Sequence, residues 1–259
     1  MQLGDKIIVV TGGGSGIGKA LIERFQREGA SVVVAVDVNE DAARATAAEL
    51  SCPAMVADVS NEADVVRIID EIENTIGPID LFCSNAGVIA GASEQSANEE
   101  WELSWGVNVM AHVYAARHMI PRMISRGGGH LLNTASAAGL LNQIGGAAYG
   151  VSKHAAVGFA EWIAMTYAHR GIGVSVLCPQ AVRTAMTADA EQAGTMAATG
   201  DGMMEPEQLA DIVVEHLQRD AFLILTHEEV HTYMQRKASD YDRWIGGMNR
   251  LHQRLTGES

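Results

Sequence analysis

Three side chains suited to moving a proton sit close together in this chain of 259 residues. Tyr149 and Lys153 are four positions apart, so on a helix both lie on one face. Ser136 comes thirteen residues before Tyr149. A free phenol titrates near ~10, and bringing it to about 7 takes roughly 3 pH units, or ~4 kcal/mol. A lysine ammonium within a few ångströms, in a partly desolvated cleft, stabilises the phenolate in that sense. A serine hydroxyl can donate to a substrate oxygen as charge develops on it. Y-x-x-x-K alone is also an ordinary helix face, so its surroundings decide its meaning.

Those surroundings begin with Thr11-Gly12-Gly13-Gly14-Ser15-Gly16-Ile17-Gly18, which follows a predicted strand and opens a predicted helix. Glycines there let the backbone turn tightly and bring N–H groups and a helix N-terminus against a pyrophosphate. Asp37 ends the second predicted strand, 19 residues after Gly18. A carboxylate at that place can bind the hydroxyls of an adenosine ribose, and it would repel the 2′-phosphate of NADP. No Lys or Arg in the glycine loop or just after Asp37 is available to attract that phosphate. NAD is therefore expected over NADP.

The elements that must position these groups follow from apolar periodicity. Short apolar runs predict strands over residues 6–10, 31–36, 54–57, 80–84, 130–134, 173–178 and 221–225. Val32, Val33, Val34 and Val36 give the continuous apolar run of a strand buried on both faces. Amphipathic stretches predict helices over 18–28, 40–50, 62–76, 98–126 and 147–170, the third stopped by Gly77-Pro78. Strand–helix–strand repetition means right-handed crossovers in a parallel sheet. No linker, low-complexity tract or repeat divides the chain, so a single α/β domain is expected over residues 1–259. Two segments break the rhythm. Residues 183–204 lack periodicity and read as a functional loop, here a substrate loop, or a disordered one. The tail 228–255 is polar and helix-prone, a solvated helix or a subunit contact.

Composition narrows the function classes. Lys and Arg number 18 against 32 Asp and Glu, a net charge of −14. Such a surface repels phosphate backbones and anionic lipid, so neither nucleic acid nor membrane is an expected partner. No run approaches the roughly 20 apolar residues of a membrane span, and the amino-terminal residues do not read as a signal peptide. Cys52, Cys83 and Cys178 are far apart with no C-x-x-C, which fits reduced, buried thiols in a cytoplasmic protein.

Jointly, the motifs T-G-G-G-S-G-I-G at 11–18, Asp58-Val59, Asn85-Ala86-Gly87, Asn108, Ser136, Y-G-V-S-K at 149–153 and P-Q-A-V-R-T at 179–184 resemble those of the short-chain dehydrogenase/reductase family, from residue 6 to about 225. The resemblance implies a doubly wound Rossmann-type domain, a seven-stranded parallel sheet with helices on both faces. It implies an NAD-dependent oxidoreductase that moves a hydride between the nicotinamide and a secondary alcohol or ketone. Gly12, Gly14, Ser15, Gly16, Ile17, Gly18 and Asp37 would hold the cofactor. Asp58 and Val59 would flank the adenine, Asn85, Ala86 and Gly87 would line the cleft, and Pro179, Val182 and Thr184 would lie toward the nicotinamide. Asn108, Ser136, Tyr149 and Lys153 would form a catalytic tetrad, with Asn108 holding a water in the proton relay. Tyr149 would exchange the proton, and Lys153 would bind the nicotinamide ribose and depress the Tyr149 pKa. Ser136, Leu140, Leu141, Ile144, Tyr149, Gln180 and Met186 would line the substrate pocket, mostly apolar and suited to a hydrophobic alcohol or ketone. The helices 98–126 and 147–170 resemble those that pair subunits into dimers or tetramers. Three positions depart from the family pattern: Gln180 stands where Gly is usual, Ser84 where Asn is, and Ala135 where Ser is common. Gln180 puts a polar side chain at the mouth of the substrate site. A non-catalytic NAD(H)-sensing protein of the same fold is the alternative, but it would not need Tyr149 and Lys153.

Several other features read as structural. His227-Glu228-Glu229-Val230-His231 matches the H-E-x-x-H zinc pattern, but Thr226 with Glu229 also reads as a capping box, and no metal site is expected. Met186, Met196, Met203 and Met204 suit either an adaptable lid or helix packing. His112, His118 and His154 read as surface or packing residues, and Trp101, Trp105 and Trp162 as core or subunit contacts.

Overall fold

The computed structural model describes residues 1–188 and 201–257. Met196, with the rest of residues 189–200, lies outside the described residues. Seven strands, β1 (Ile7–Thr11), β2 (Val32–Asp37), β3 (Ala54–Val56), β4 (Leu81–Ser84), β5 (Gly129–Thr134), β6 (Ile172–Cys178) and β7 (Leu223–Leu225), form one sheet. Their order is β3-β2-β1-β4-β5-β6-β7, and every pairing is parallel. The expected doubly wound α/β fold is what the chain adopts. β1 begins and ends one residue later than the apolar run suggests, because Thr11 still pairs with Val36.

Side chains alternate across the sheet and build a core on each face. On one face Val9, Val34 and Phe82 pack with α3 (Glu62–Thr75), α5 (Ala111–Ser125) and α7 (Ala147–Tyr167). On the other, Ile8, Val10 and Val33 pack with Phe25 of α1 (Gly16–Arg27) and Leu209 of a helix over Pro206–Gln218. Burying a side chain such as Phe25 or Phe82 contributes roughly 1.5–3 kcal/mol. α2 (Glu40–Leu50) starts on Asn39, whose side chain accepts from Ala42 N at 3.0 Å.

The predicted helix 98–126 is interrupted. α4 (Asn98–Trp105) passes into a π-helical turn over Gly106–Met110 before α5 begins. α6 (Ala138–Leu141) is one short turn between β5 and α7. The Pro206–Gln218 helix is α8. The tail is neither a single solvated helix nor a free one. It forms α9 (Glu228–Ser239) and α10 (Tyr241–Thr256), which contribute to the wall of the main cleft.

The predicted capping box at Thr226 is not formed. α9 is capped from His227, and the Thr226 hydroxyl instead bonds His227 Nδ1 at 2.9 Å and accepts from Gln180 N at 3.4 Å. His227 is buried while His231 is exposed and bonds Gln235, so the two rings share no ligand position. Among the described residues no group of three or more His, Cys, Asp or Glu could hold a metal. All three cysteines are free and buried. Trp105 and Trp162 are half exposed rather than in the core. Among the described residues no helix is long and apolar enough to cross a membrane.

Candidate active site

In a doubly wound sheet the carboxyl ends of the strands open a crevice where the connections diverge to opposite faces. Here that point lies between β1 and β4, and a cleft of about 1380 Å³ occupies it. The glycine loop leaves β1 and the Asn85-Ala86-Gly87 turn leaves β4, so both reach the same crevice. Of the residues expected at the site, all but Gly14, Asn108 and Leu140 line this cleft.

The cradle for a dinucleotide is tight. Gly12 has φ +66°, and a Cβ there would stand 2.9 Å from Ala86 Cα. A Cβ on Gly18 would stand 2.1 Å from the Gly12 carbonyl oxygen, so no other residue fits at that helix start. Thr11 joins the two loops. Its hydroxyl accepts from Asn85 N at 2.9 Å and Ala86 N at 3.1 Å, and donates to the Cys83 carbonyl at 3.2 Å. Asn85 Nδ2 donates back to the Thr11 carbonyl at 3.0 Å. Asp37 is fixed at the end of β2, accepting from Gly14 N at 2.9 Å and Asn39 N at 3.0 Å. Gly14 thus supports the acid from behind the cleft wall, and a Cβ there would meet Asp37 Oδ2 at 2.8 Å. A bare backbone turn, a helix N-terminus and a half-buried carboxylate in sequence fit a nicotinamide dinucleotide.

Ser136, Tyr149 and Lys153 line the same cleft. Lys153 is buried, donates from Nζ to the Thr134 carbonyl at 3.0 Å, and stands 5.8 Å from the centroid of the Tyr149 ring. Burial lowers its pKa to about 8. Burial also pushes the Tyr149 phenol above its ordinary value, against a hydrogen bond with Ser136 that pulls it down. Burial is the larger of these two influences on the phenol.

Asn108 sits on the π-helical turn, fully buried. Its side chain is engaged three times at 3.0 Å: Nδ2 donates to the Val88 carbonyl and to Ser152 Oγ, and Oδ1 accepts from Val88 N. It holds the irregular segment after Gly87 against α7 rather than lining the cleft. Leu140 packs on the core, and its carbonyl accepts from Lys237 Nζ at 2.7 Å. Successive residues of the α6 turn point about 100° apart, so Leu141, not Leu140, faces the cleft.

Sequence reasoning missed the roof. Trp244, Met248, Leu251 and Leu255 of α10 line the cleft, with Tyr233 and Arg236 of α9 and Asp201. Their spacing of four, three and four residues is an amphipathic helical stripe, a legible signal. Gln180 Nε2 donates to Asp201 Oδ2 at 2.8 Å, and Tyr233 Oη donates to Asp201 Oδ1 at 3.0 Å. Gln180 is thereby tied into the cleft wall. Behind the site, His112 Nδ1 lies 3.2 Å from Asn133 Oδ1, and burial lowers the His112 pKa to about 4.

Comparison with known proteins agrees with this geometry. The family model described as short chain dehydrogenase matches residues 6–194. A 1-deoxy-11-beta-hydroxypentalenate dehydrogenase from Streptomyces exfoliatus is 35% identical over 95% of this chain and 91% of its own. A 3beta-hydroxysteroid dehydrogenase 2 from Eggerthella lenta is 36% identical over 70% of this chain and 73% of its own. The crystal structure of a short chain dehydrogenase/reductase from Burkholderia phymatum in complex with NAD superposes with a TM-score of 0.86 at 29% identity, covering 93% of this chain and 96% of that one. The chain belongs to the short-chain dehydrogenase/reductase family and is an oxidoreductase acting on hydroxyl groups.

Proposed function

We propose that the chain oxidises a hydrophobic secondary alcohol, or reduces the matching ketone, with NAD as partner and Tyr149 as the acid/base. The observation that carries this is the convergence of Ser136, Tyr149 and Lys153 on the cleft that also holds the glycine loop and Asp37. A bound nicotinamide supplies or accepts the hydride. The Ser136 hydroxyl donates to the substrate oxygen, and Tyr149 Oη takes its proton in oxidation or returns one in reduction. Lys153 holds a positive charge beneath the ring, steadied by the Thr134 carbonyl. Asn108 acts at one remove, setting the Gly87–Val88 backbone and Ser152.

The cofactor residues act as the glycine loop and Asp37 suggest. Gly12, Ser15, Gly16, Ile17 and Gly18 receive the pyrophosphate, Asp37 the ribose hydroxyls, and Asp58 and Val59 the adenine. Asn85, Ala86, Gly87, Pro179, Val182 and Thr184 enclose the nicotinamide half. The substrate meets Leu141, Ile144, Gln180 and Met186, under a roof of Trp244, Met248 and Leu251. Relatives named for a hydroxypentalenate and a hydroxysteroid agree with an apolar ring-bearing alcohol. We assign the chain to the cytoplasm as one domain. Half-exposed Leu103, Trp105, Val151 and Trp162 with exposed Met165, on α4 and α7, support a dimer or tetramer through those helices. Tyr149→Phe tests the acid/base role. Turnover of an alcohol panel should fall at least ~10³-fold while NADH binding is retained. Near wild-type turnover in that variant would overturn it.

A further inference from the structure

The roof carries a concentration of positive charge that the reaction does not use. Residues 236–257 hold Arg236, Lys237, Arg243, Arg250 and Arg254 against only Asp240 and Asp242, in a chain of net charge −14. Arg236, Arg243 and Arg250 line one groove of about 500 Å³ with Trp244 and Met248. Arg236, Trp244 and Met248 also line the main cleft, so the groove adjoins it. Among the described residues, none of these three guanidiniums forms an ion pair with a carboxylate. The single carboxylate in the groove, Asp240, is engaged as the cap of α10, accepting from Arg243 N at 2.9 Å.

The groove is shaped as well as charged. Arg236 is held over the Tyr233 ring, 5.8 Å from its centroid, and the Tyr233 hydroxyl is fixed by Asp201. Gly246 and Gly247 interrupt the interior of α10, although glycine is among the poorest helix formers. A Cβ at Gly246 would lie 3.5 Å from Arg250 Nη1. The glycine pair leaves bare backbone beside that guanidinium.

We infer that Arg236, Arg243 and Arg250 form an anion-binding rim that takes the carboxylate or phosphate at the distal end of an otherwise apolar alcohol substrate. The inference rests on the proposed use of the cleft by such an alcohol. It makes the three arginines specificity residues: the hydride-transfer end lies at Tyr149, the apolar skeleton under Trp244 and Met248, and the anionic end on the rim. Planar guanidiniums suit both oxyacids, by paired N–H donation.

The test compares a 3-hydroxysteroid carboxylic acid, its methyl ester and a phosphate-terminated analogue. Binding is read by quenching of tryptophan fluorescence, Trp244 being in the groove, and turnover by NADH formation. Wild type should bind the acid or the phosphate about tenfold more tightly than the ester, a modest figure because exposed pairs are screened. The difference should appear in KM rather than kcat, and shrink as sodium chloride is raised. In R236Q/R243Q/R250Q the preference should collapse toward one, and in R236K/R243K/R250K much of it should remain. The better of the two anions names the source. Equal binding of ester and anions in wild type, or a preference that survives the glutamine variant, overturns the inference. Anion preference in binding with no turnover of any of the three compounds supports the rim and counts instead against the proposed oxidation of such alcohols.

Discussion

On the proposed role of Asp37, its replacement by serine should raise the use of NADP relative to NAD. The Asp37 carboxylate is half-buried at the edge of the cleft and held by Gly14 N at 2.9 Å and Asn39 N at 3.0 Å, so it cannot swing away from an incoming phosphate. A unit charge ~5 Å away interacts by about 3 kcal/mol at an effective dielectric near 20. A 2′-phosphate carries more than one charge, but the cleft is open to water and salt, which offsets the excess. About 3 kcal/mol corresponds to roughly two decades in the ratio of kcat/KM for NAD to that for NADP. Serine can accept one of the two backbone hydrogen bonds, so stability should fall by about 1 kcal/mol. The assay is steady-state kinetics of both cofactors with one alcohol, beside a thermal melt. A wild-type preference for NADP, or a shift in the ratio of less than about threefold in D37S, would refute the reasoning.

Other outcomes follow from the geometry. Oxidation by wild type should accelerate with rising pH, because the proposed base is the Tyr149 phenolate and burial holds the phenol above its ordinary value; a pH-independent kcat/KM between pH 6 and 9 would contradict this. His112 is buried with its pKa lowered to about 4, against about 6.5 unfolded. The unfolded chain binds the extra proton between these values, so stability should be full above about 6.5 and fall by about 3 kcal/mol as pH drops toward 4; chemical denaturation of wild type beside His112→Leu across that window checks it, the variant losing less. Cys178 is pushed up to about 12 by burial and Cys83 higher still, so iodoacetamide at neutral pH should leave the native enzyme active; rapid inactivation would count against the buried thiols. Trp244→Ala with Leu251→Ala should raise KM for a large apolar alcohol more than for a small one, since both side chains roof the cleft; an equal rise for both would remove the roof from substrate binding.

What could be read from the chain and what could not divide along a physical line. Val32–Val36 and the runs like it declare strands because a strand buried on both faces must be apolar throughout. The glycine loop, Asp37 and the Ser136–Tyr149–Lys153 spacing are local patterns, and the fold brings them to one crevice as expected. The π-helical turn at Gly106–Met110 is not legible in the sequence, because a five-residue turn inside a longer helix is shorter than the window over which apolar periodicity is read. The Leu140 and Leu141 roles depend on the direction of a single turn, α6, too short to show a stripe. The capping pattern at Thr226 is matched in sequence, yet the hydroxyl faces Gln180 and His227 instead, a tertiary choice. The Trp244, Met248, Leu251 and Leu255 stripe was visible as an amphipathic face, but nothing local tells which surface it covers.

Near the substrate side, past the end of β6, Val182 and Met204 form an isolated parallel bridge reinforced by Arg183 N on the Met204 carbonyl and Met204 N on the Ala181 carbonyl, both at 2.9 Å. These neighbouring backbone contacts thus close the chain on itself at this point. That closure fixes where Thr184 and Asp201 enter the cleft wall, so a change at Met204 would reach the site through the main chain, without touching a side chain of the cleft.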